Sequence, residues 1–276
     1  MDIGFLGLLW DAFQYTLICI VVVAIPVFFL RFIHVISNFL AFRSMGLSIY
    51  ILLSFPGVVI HELSHYLMCI IFGHHVTKVR FFSPNLSSGS LGYVNHSYNP
   101  RSIYQNIGNI FIGLSPIICL PPIVAMLIMA YVPVEIPSVK GMSFFSLALY
   151  DDLNNYISAV YFYFLRNGDV LSIFLFFCLS SISLHSSPSS SDLRGALKGT
   201  ISLFIILVFA AYIAYLIPDF TDDIRWFVQK FALDSIDFII VLYVVMFIFS
   251  LQSVCLLMTV SFLLYIYRSI VRSLRF

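Results

Sequence analysis

The sequence predicts an all-α polytopic membrane protein with about six transmembrane helices and a small membrane-associated β-hairpin. The 276 residues are 61% apolar and only 10% charged, whereas soluble domains are about half apolar and about a quarter charged. Windows of roughly 20 apolar residues, the length that crosses about 30 Å of hydrocarbon, recur along the chain. We therefore expect a single membrane domain, 1–276, that crosses the lipid bilayer several times.

The apolar windows divide into six predicted spans, and a different kind of segment separates the second span from the third. The third span carries Pro116, Pro121 and Pro122, so we expect a kink there. The long connection after it is partly amphipathic and is expected to lie along the membrane interface. The predicted spans are 13–32, 47–72, 104–131, 170–187, 199–217 and 236–267.

Residues 73–102 are more polar than the spans around them. Residues 76–82 alternate in the manner of a strand, 83–89 are rich in turn residues, and 91–96 can return as a second strand. The pattern predicts a β-hairpin at the membrane surface or inside a cavity lined by protein. A plain surface loop is the alternative.

The distribution of lysine and arginine predicts the orientation of the spans. The tail after the last span, the loop 188–198 and the hairpin region are basic, whereas the intervening loops are relatively acidic. Alternation of six spans puts the basic segments on one side, which we assign to the cytoplasmic side of the cell (inner) membrane. Arg31 and Arg43 are the exception and would face outward. The formal net charge of +1 argues against nucleic acid as a partner.

The second span contains the motif His61-Glu62-Leu63-Ser64-His65. Histidines four residues apart share one face of a helix, where two imidazoles can bind one Zn²⁺, and the glutamate between them is placed to act as a general base. A chance match to HExxH is the alternative. Ionisable residues inside a span are costly and usually functional, so the motif predicts a zinc site with Glu62 as the catalytic residue.

A catalytic zinc site has three protein ligands, so a third ligand must reach the depth of His61 and His65. His61 lies about 14 residues, roughly 21 Å, from the outer end of its span, and His185 lies about 15 residues, roughly 23 Å, along the fourth span. Pro188 and the serines around it would end that helix and let Asp192 turn back toward the metal. From the residues alone, Asp192 can equally be a helix N-cap, and His185 a hydrogen-bonded polar residue of the bundle.

Several segments together resemble the site-2 protease family of intramembrane zinc metalloproteases. The resemblance covers about residues 47–200, the metalloprotease core, and leaves 13–32 and 199–276 outside it as accessory spans. That family ends its third core span in Asn-x-x-Pro…Leu-Asp-Gly, in which the Asp is the third zinc ligand. The segments are the HExxH motif, Phe72-Gly73-x-x-Val76-x-x-Val79, Gly92-Tyr93-Val94, Gly113-Leu114-Ser115-Pro116 and His185-x-x-Pro188…Asp192-Leu193.

The resemblance implies a zinc ion held by His61, His65 and Asp192, with Glu62 as base and then acid. His185, which stands where the family has Asn, is the alternative ligand or a group that orients one. The implied activity is hydrolysis of peptide bonds in or near the transmembrane segment of a single-pass membrane protein or peptide.

The hairpin acquires a role through the same resemblance, because the unpaired edge of a strand can accept an unwound substrate by β-augmentation. The residues predicted to bind substrate are Gly92, Tyr93, Val94 and Asn95. The polar residues nearest the motif in sequence are expected to be interfacial groups and not metal ligands; they are His74, His75, Asn95 and His96.

Two other functions fit parts of the pattern. A scaffold of the same fold could keep the zinc without cleaving, and a transporter could use buried His, Glu and Asp residues as an ion or proton relay. Glu62 favours the enzyme, because a purely structural zinc site does not need that carboxylate. The sequence shows no internal repeat of the kind many transporters have.

Overall fold

The computed structural model describes residues 5–45, 47–85, 90–134 and 147–216, with scattered positions between 243 and 270. The described chain is mostly helical and contains a small antiparallel sheet of two strands. The predicted sixth span, 236–267, lies largely outside the described residues. The elements are α1 (Phe5–Met45), α2 (Leu47–Ile71), β1 (His75–Arg80), β2 (Tyr93–Ser97), α3 (Ile103–Gly113), α4 (Ser115–Tyr131), α5 (Leu147–Asn167), α6 (Val170–Leu184) and α7 (Ser190–Leu216).

Helix α1 is longer than the predicted first span and continues past residue 32 to Met45. Helix α2 returns beside it, and the Tyr50 hydroxyl donates to Asn38 Oδ1 at 2.9 Å. As a result Arg31 lies mid-helix, and its Nη1 donates to the Pro188 carbonyl at 3.1 Å. The alternation of the predicted spans placed Arg31 on the side opposite the loop 188–198, as an exception to the charge pattern; this was wrong because the helix does not end where the apolar window ends.

The predicted hairpin is present and follows a tight helix end. Gly73, with φ of 66°, ends α2 in a Schellman motif, because the His74 amide donates to the Cys69 carbonyl and the Gly73 amide to the Ile70 carbonyl. Strand β1 then pairs antiparallel with β2 in a register that sets Val79 against Val94. The positive φ at Gly73 turns the chain directly from the HExxH helix into the sheet.

The third predicted span is broken as well as kinked. Helices α3 and α4 meet at Leu114 with a bend of 55°, and Pro116 occupies the first turn of α4. Pro121 and Pro122 lie within α4 without ending it. The break therefore falls at the Gly113–Pro116 segment and not at the proline pair.

The apolar core is built mainly from α4, α5 and α6. Helix α5 contributes Tyr156, Val160 and Phe164, which are spaced four residues apart and therefore share one face. The connection containing α5 was expected to lie along the interface, but this face packs into the core. The other buried members are Leu120, Val124 and Ile128 from α4, Val132 directly after it, and Leu175, Leu179 and Ile182 from α6.

Small residues let α3 and α7 approach closely. A Cβ at Gly199 would lie 2.7 Å from the Asn106 carbonyl oxygen, and one at Gly113 would collide with the main-chain oxygen of Asp192 and lie 3.0 Å from Ala196 Cβ. Small residues bring helix backbones together in this way in membrane bundles. The contact fixes the first turn of α7 beside the break between α3 and α4.

Among the described residues, one helix is long and apolar enough to cross a membrane, the Ser48–Ile71 part of α2. The bent pair α3 and α4 would be a second if the two helices form one broken span. Val27–Leu40 and Val170–Leu184 are apolar but shorter. The arrangement of six spans and its orientation stay predictions.

The α3–α7 contact gives a test of the packing. We expect Gly113→Ala to lower the free energy of unfolding by about 1–3 kcal/mol, because the added methyl group must push the two backbones apart. Gly195→Ala is the matched control, because a Cβ there meets no atom within 4 Å; it should be neutral or slightly stabilising. Thermal unfolding in detergent measures both, and a Gly113→Ala variant as stable as the wild type would contradict the packing.

Candidate metal centre

Main-chain carbonyls fix the orientation of both motif histidines. His61 Nδ1 donates to the carbonyl of His185 at 2.7 Å, and His65 Nδ1 donates to the carbonyl of Ile112 at 2.7 Å. A carbonyl oxygen only accepts, so the ring proton of each neutral imidazole lies on Nδ1. Both Nε2 atoms therefore carry lone pairs.

The two Nε2 atoms face each other at 3.2 Å. Two lone pairs at that distance repel unless a cation lies near both. Asp192 Oδ2 lies 3.5 Å from His65 Nε2 and 3.9 Å from His61 Nε2, and ligand atoms of the three residues all lie within 4.8 Å of one another. His61, His65 and Asp192 thus form a possible metal-binding triad, and two imidazoles with one carboxylate suit zinc.

Asp192 also caps the helix that carries it. The Ser189 amide donates to Asp192 Oδ2 at 2.6 Å, and the Asp192 amide donates to Ser189 Oγ at 3.2 Å. This is a capping box at the first turn of α7. The sequence left open whether Asp192 is the helix N-cap or a ligand. Ser189 takes the N-cap position and Asp192 the third position of the box, and this bond fixes the carboxylate that faces the two histidines.

His185 is placed beside the triad but its ring is not part of it. The ring Nδ1 donates to the Ser181 carbonyl at 2.9 Å, and the residue's own carbonyl holds His61. Gly57 lets the His185 ring lie close to α2, since a Cβ at Gly57 would lie 2.6 Å from His185 Nδ1. Of the two roles predicted for His185, the geometry fits the group that orients a ligand.

Glu62 lines a cavity of about 380 Å³ beside His61. The hairpin closes over this carboxylate, since a Cβ at Gly92 would lie 2.7 Å from Glu62 Cγ. The cavity wall combines apolar residues with several polar ones, and the polar residues include Arg31, His34, Asn38, Tyr50, His185, Ser187, Ser189 and Ser190. The Glu62 carboxylate therefore lies in a cavity wall, where it could contact both a water molecule and a substrate.

Of the four residues predicted to bind substrate, only Gly92 lines the cavity. Tyr93, Val94 and Asn95 lie in β2 and pair with β1. The Tyr93 ring has the Lys78 ammonium 5.5 Å from its centroid. The structure thus brings the beginning of β2 to Glu62 and carries the rest of the strand away along the sheet.

His74 was expected at the interface and is buried instead. Its Nε2 donates to the Gln105 carbonyl at 2.8 Å, and its Nδ1 lies 2.9 Å from His96 Nδ1. Burial lowers the pKa of His74, and burial together with the neighbouring His74 lowers the pKa of His96 to about 4. His74 and His96 thus connect β2 to α3 through hydrogen bonds and lie outside the triad. His75 and Asn95 are exposed, as expected.

Sequence reasoning missed the contribution of α1 to this site. Arg31 Nη2 donates to Ser190 Oγ at 2.6 Å, His34 Nδ1 donates to the Leu184 carbonyl at 3.1 Å, and Asn38 Nδ2 donates to His34 Nε2 at 3.0 Å. The signal was present: Arg31, His34 and Asn38 are spaced by three and four residues and share one face of an apolar helix.

Comparison of the chain with protein-family models, with curated proteins and with solved structures finds no match.

The third ligand can be tested by separating its two roles. We expect Asp192→Asn to lose most of the bound metal but to keep the helix cap, because an amide oxygen still accepts from Ser189 but is a weaker zinc ligand. Asp192→Ala should lose both, at a further cost of about 1 kcal/mol in stability. His185→Ala should retain metal better than either, because its ligand-orienting group is a main-chain carbonyl. The measurement is the metal content of the purified variants. A full metal content in Asp192→Asn would show that Asp192 is not a metal ligand.

The histidine pair predicts a pH dependence of stability. The folded pKa of His96 is lowered to about 4, so its contribution is fully present above the unfolded value of about 6.5 and is lost as pH falls toward 4. Between those limits the unfolded chain binds more protons. We expect the Tm of the wild type to fall more over this range than that of His96→Asn, and equal slopes would contradict the assignment.

Proposed function

We propose that this protein is a zinc metalloendopeptidase that hydrolyses peptide bonds in or beside the transmembrane segment of a membrane-protein substrate. One observation carries the proposal: the lone pairs of His61 and His65 converge beside Asp192 Oδ2, and Glu62 lines a cavity next to them. A site that only held a metal for stability would not need a carboxylate in a cavity wall.

The residues have separable tasks in this reaction. When bound, a zinc ion supplies Lewis acidity that makes water nucleophilic near neutral pH. Glu62 takes a proton from the attacking water as the water oxygen bonds to the substrate carbonyl carbon. The same carboxylic acid returns the proton to the departing amine as the C–N bond breaks, which leaves a carboxyl and an amine product.

The exposed surface favours a substrate within a membrane. Large apolar side chains project from the helices, including Leu52 with 69% of its surface exposed and Leu165 with 77%. Soluble monomers seldom carry large continuous apolar surfaces, whereas a bilayer accommodates them. On this proposal the chain spans a cell (inner) membrane several times, with the site toward the cytoplasm.

The hairpin is the proposed docking element for an unwound substrate. Within the described residues the sheet has two strands, so each strand keeps one edge that pairs with no other described strand. An extended substrate can add to such an edge through main-chain hydrogen bonds. Because Gly92 lies against Glu62, a strand aligned there would bring its peptide bonds to the general base.

The proposed function is tested by Glu62→Gln in a reporter assay with a single-pass membrane substrate. We expect the variant to retain metal and to lose cleavage by about 10²- to 10⁴-fold, the usual contribution of general acid–base catalysis. Ser48→Ala on α2, away from the triad, serves as the matched control and should cleave normally.

Cleavage, zinc binding and ion transport together distinguish the protease from the scaffold and the transporter. Cleavage by Glu62→Gln at the wild-type rate would refute the mechanism. Wild-type protein that binds zinc but cleaves no reporter would favour the scaffold. Metal-independent ion or proton movement through proteoliposomes would favour the transporter.

A further inference from the structure

We propose that helix α1, through Arg31 and His34, is the positioning element of the metal centre. It lies outside the segment on which the family resemblance rests. Its polar side chains hold residues 184–190, the segment on which two of the three candidate ligands depend. The inference rests on the metal site of the proposed function but not on cleavage.

The segment 184–190 serves the triad at both of its ends. Near its beginning, the His185 carbonyl accepts from His61 Nδ1 at 2.7 Å and so fixes that ring. At its other end, Ser189 forms the capping box that orients the Asp192 carboxylate. A shift of this segment would therefore move one histidine ligand and the carboxylate ligand together.

The segment 184–190 is bonded to α6 only through short turns, in which the His185 and Ser186 amides donate to the Ser181 and Ser183 carbonyls, and three of its own carbonyls bond to other helices. It lies between the end of α6 at Leu184 and the start of α7 at Ser190, and the last carbonyls of a helix have no partner within it. Side chains from neighbouring helices supply the partners instead. His34 takes the Leu184 carbonyl, His61 takes that of His185, and Arg31 takes that of Pro188.

Two of these three carbonyls are thus held by α1 and the third by a metal ligand. Arg31 also donates to Ser190 Oγ at 2.6 Å, so one guanidinium bridges the end of the segment and the first residue of α7. His34 is fixed in turn by Asn38, whose side chain accepts from the Tyr50 hydroxyl of α2. Arg31 and His34 act on the metal through this segment, as positioning residues.

Metal binding by the full-length protein in detergent tests the inference without any substrate. The probe is Co²⁺, whose visible spectrum reports the geometry of its ligands, and the variant is Arg31→Met, which keeps a long side chain but removes its donors. We expect the dissociation constant for Co²⁺ to rise about 10-fold or more, the usual effect of losing a group that orients ligands, and the spectrum to change. Phe32→Ala is the matched control, because the neighbouring ring is 57% exposed; it should bind Co²⁺ like the wild type.

A merely structural role for Arg31 would lower the Tm and leave the affinity and spectrum of the folded protein unchanged, and that result would overturn the inference. Should Arg31→Met fail to fold, Ser190→Ala decides by the same criteria, because it removes only the acceptor of Nη2; a smaller loss of Co²⁺ affinity is then expected. Absence of cleavage by the wild type would count against the proposed function alone, whereas unchanged Co²⁺ binding would refute this inference even in an active protease.

Discussion

Carbonyl groups beside two interruptions of helical structure determine the chemistry of this site. The His185 carbonyl follows the end of α6, and the Ile112 carbonyl lies beside the break between α3 and α4. Each accepts the Nδ1 proton of one motif histidine, which leaves the Nε2 lone pairs pointing at each other. Without these two breaks, the same carbonyls would be engaged within helices, and the imidazole tautomers would be unspecified.

Two glycines, Gly57 and Gly113, lie where the chain approaches these breaks closely. A carbonyl can reach a histidine on α2 only if the backbones approach closely, and Gly57 leaves that space beside His185. Gly113 does the same beside Asp192, where the cap formed with Ser189 aims the carboxylate. Helix breaks, close packing and ligand orientation are therefore one arrangement, since a side chain at either glycine would displace a group that the triad needs.

The sequence predicted those parts of the molecule that depend on local pattern. The hairpin follows from alternation and turn residues, and His61 and His65 share a face because they are four residues apart. The nearness of His185 to His61 followed from counting residues along two helices. Other long-range contacts escaped prediction: the apolar window of α1 ends near residue 32, but the helix continues to Met45, so Arg31 lies mid-helix, where it bonds to Pro188. The core position of α5 was missed because its polar residues obscured the face of Tyr156, Val160 and Phe164.

Polar groups are scarce in this chain, and the fold gathers many of them around one cavity. A buried polar group costs free energy unless it is hydrogen-bonded, and the penalty is greater where no water competes. Arg31, His34, Asn38 and Tyr50 meet that requirement through one another and through the carbonyls of the 184–190 segment. The network therefore joins α1 to α2 and α6 by hydrogen bonds, whereas the apolar core joins α4, α5 and α6. Because those constraints converge beside Glu62 and the triad, the interactions that place these helices also place the candidate metal ligands.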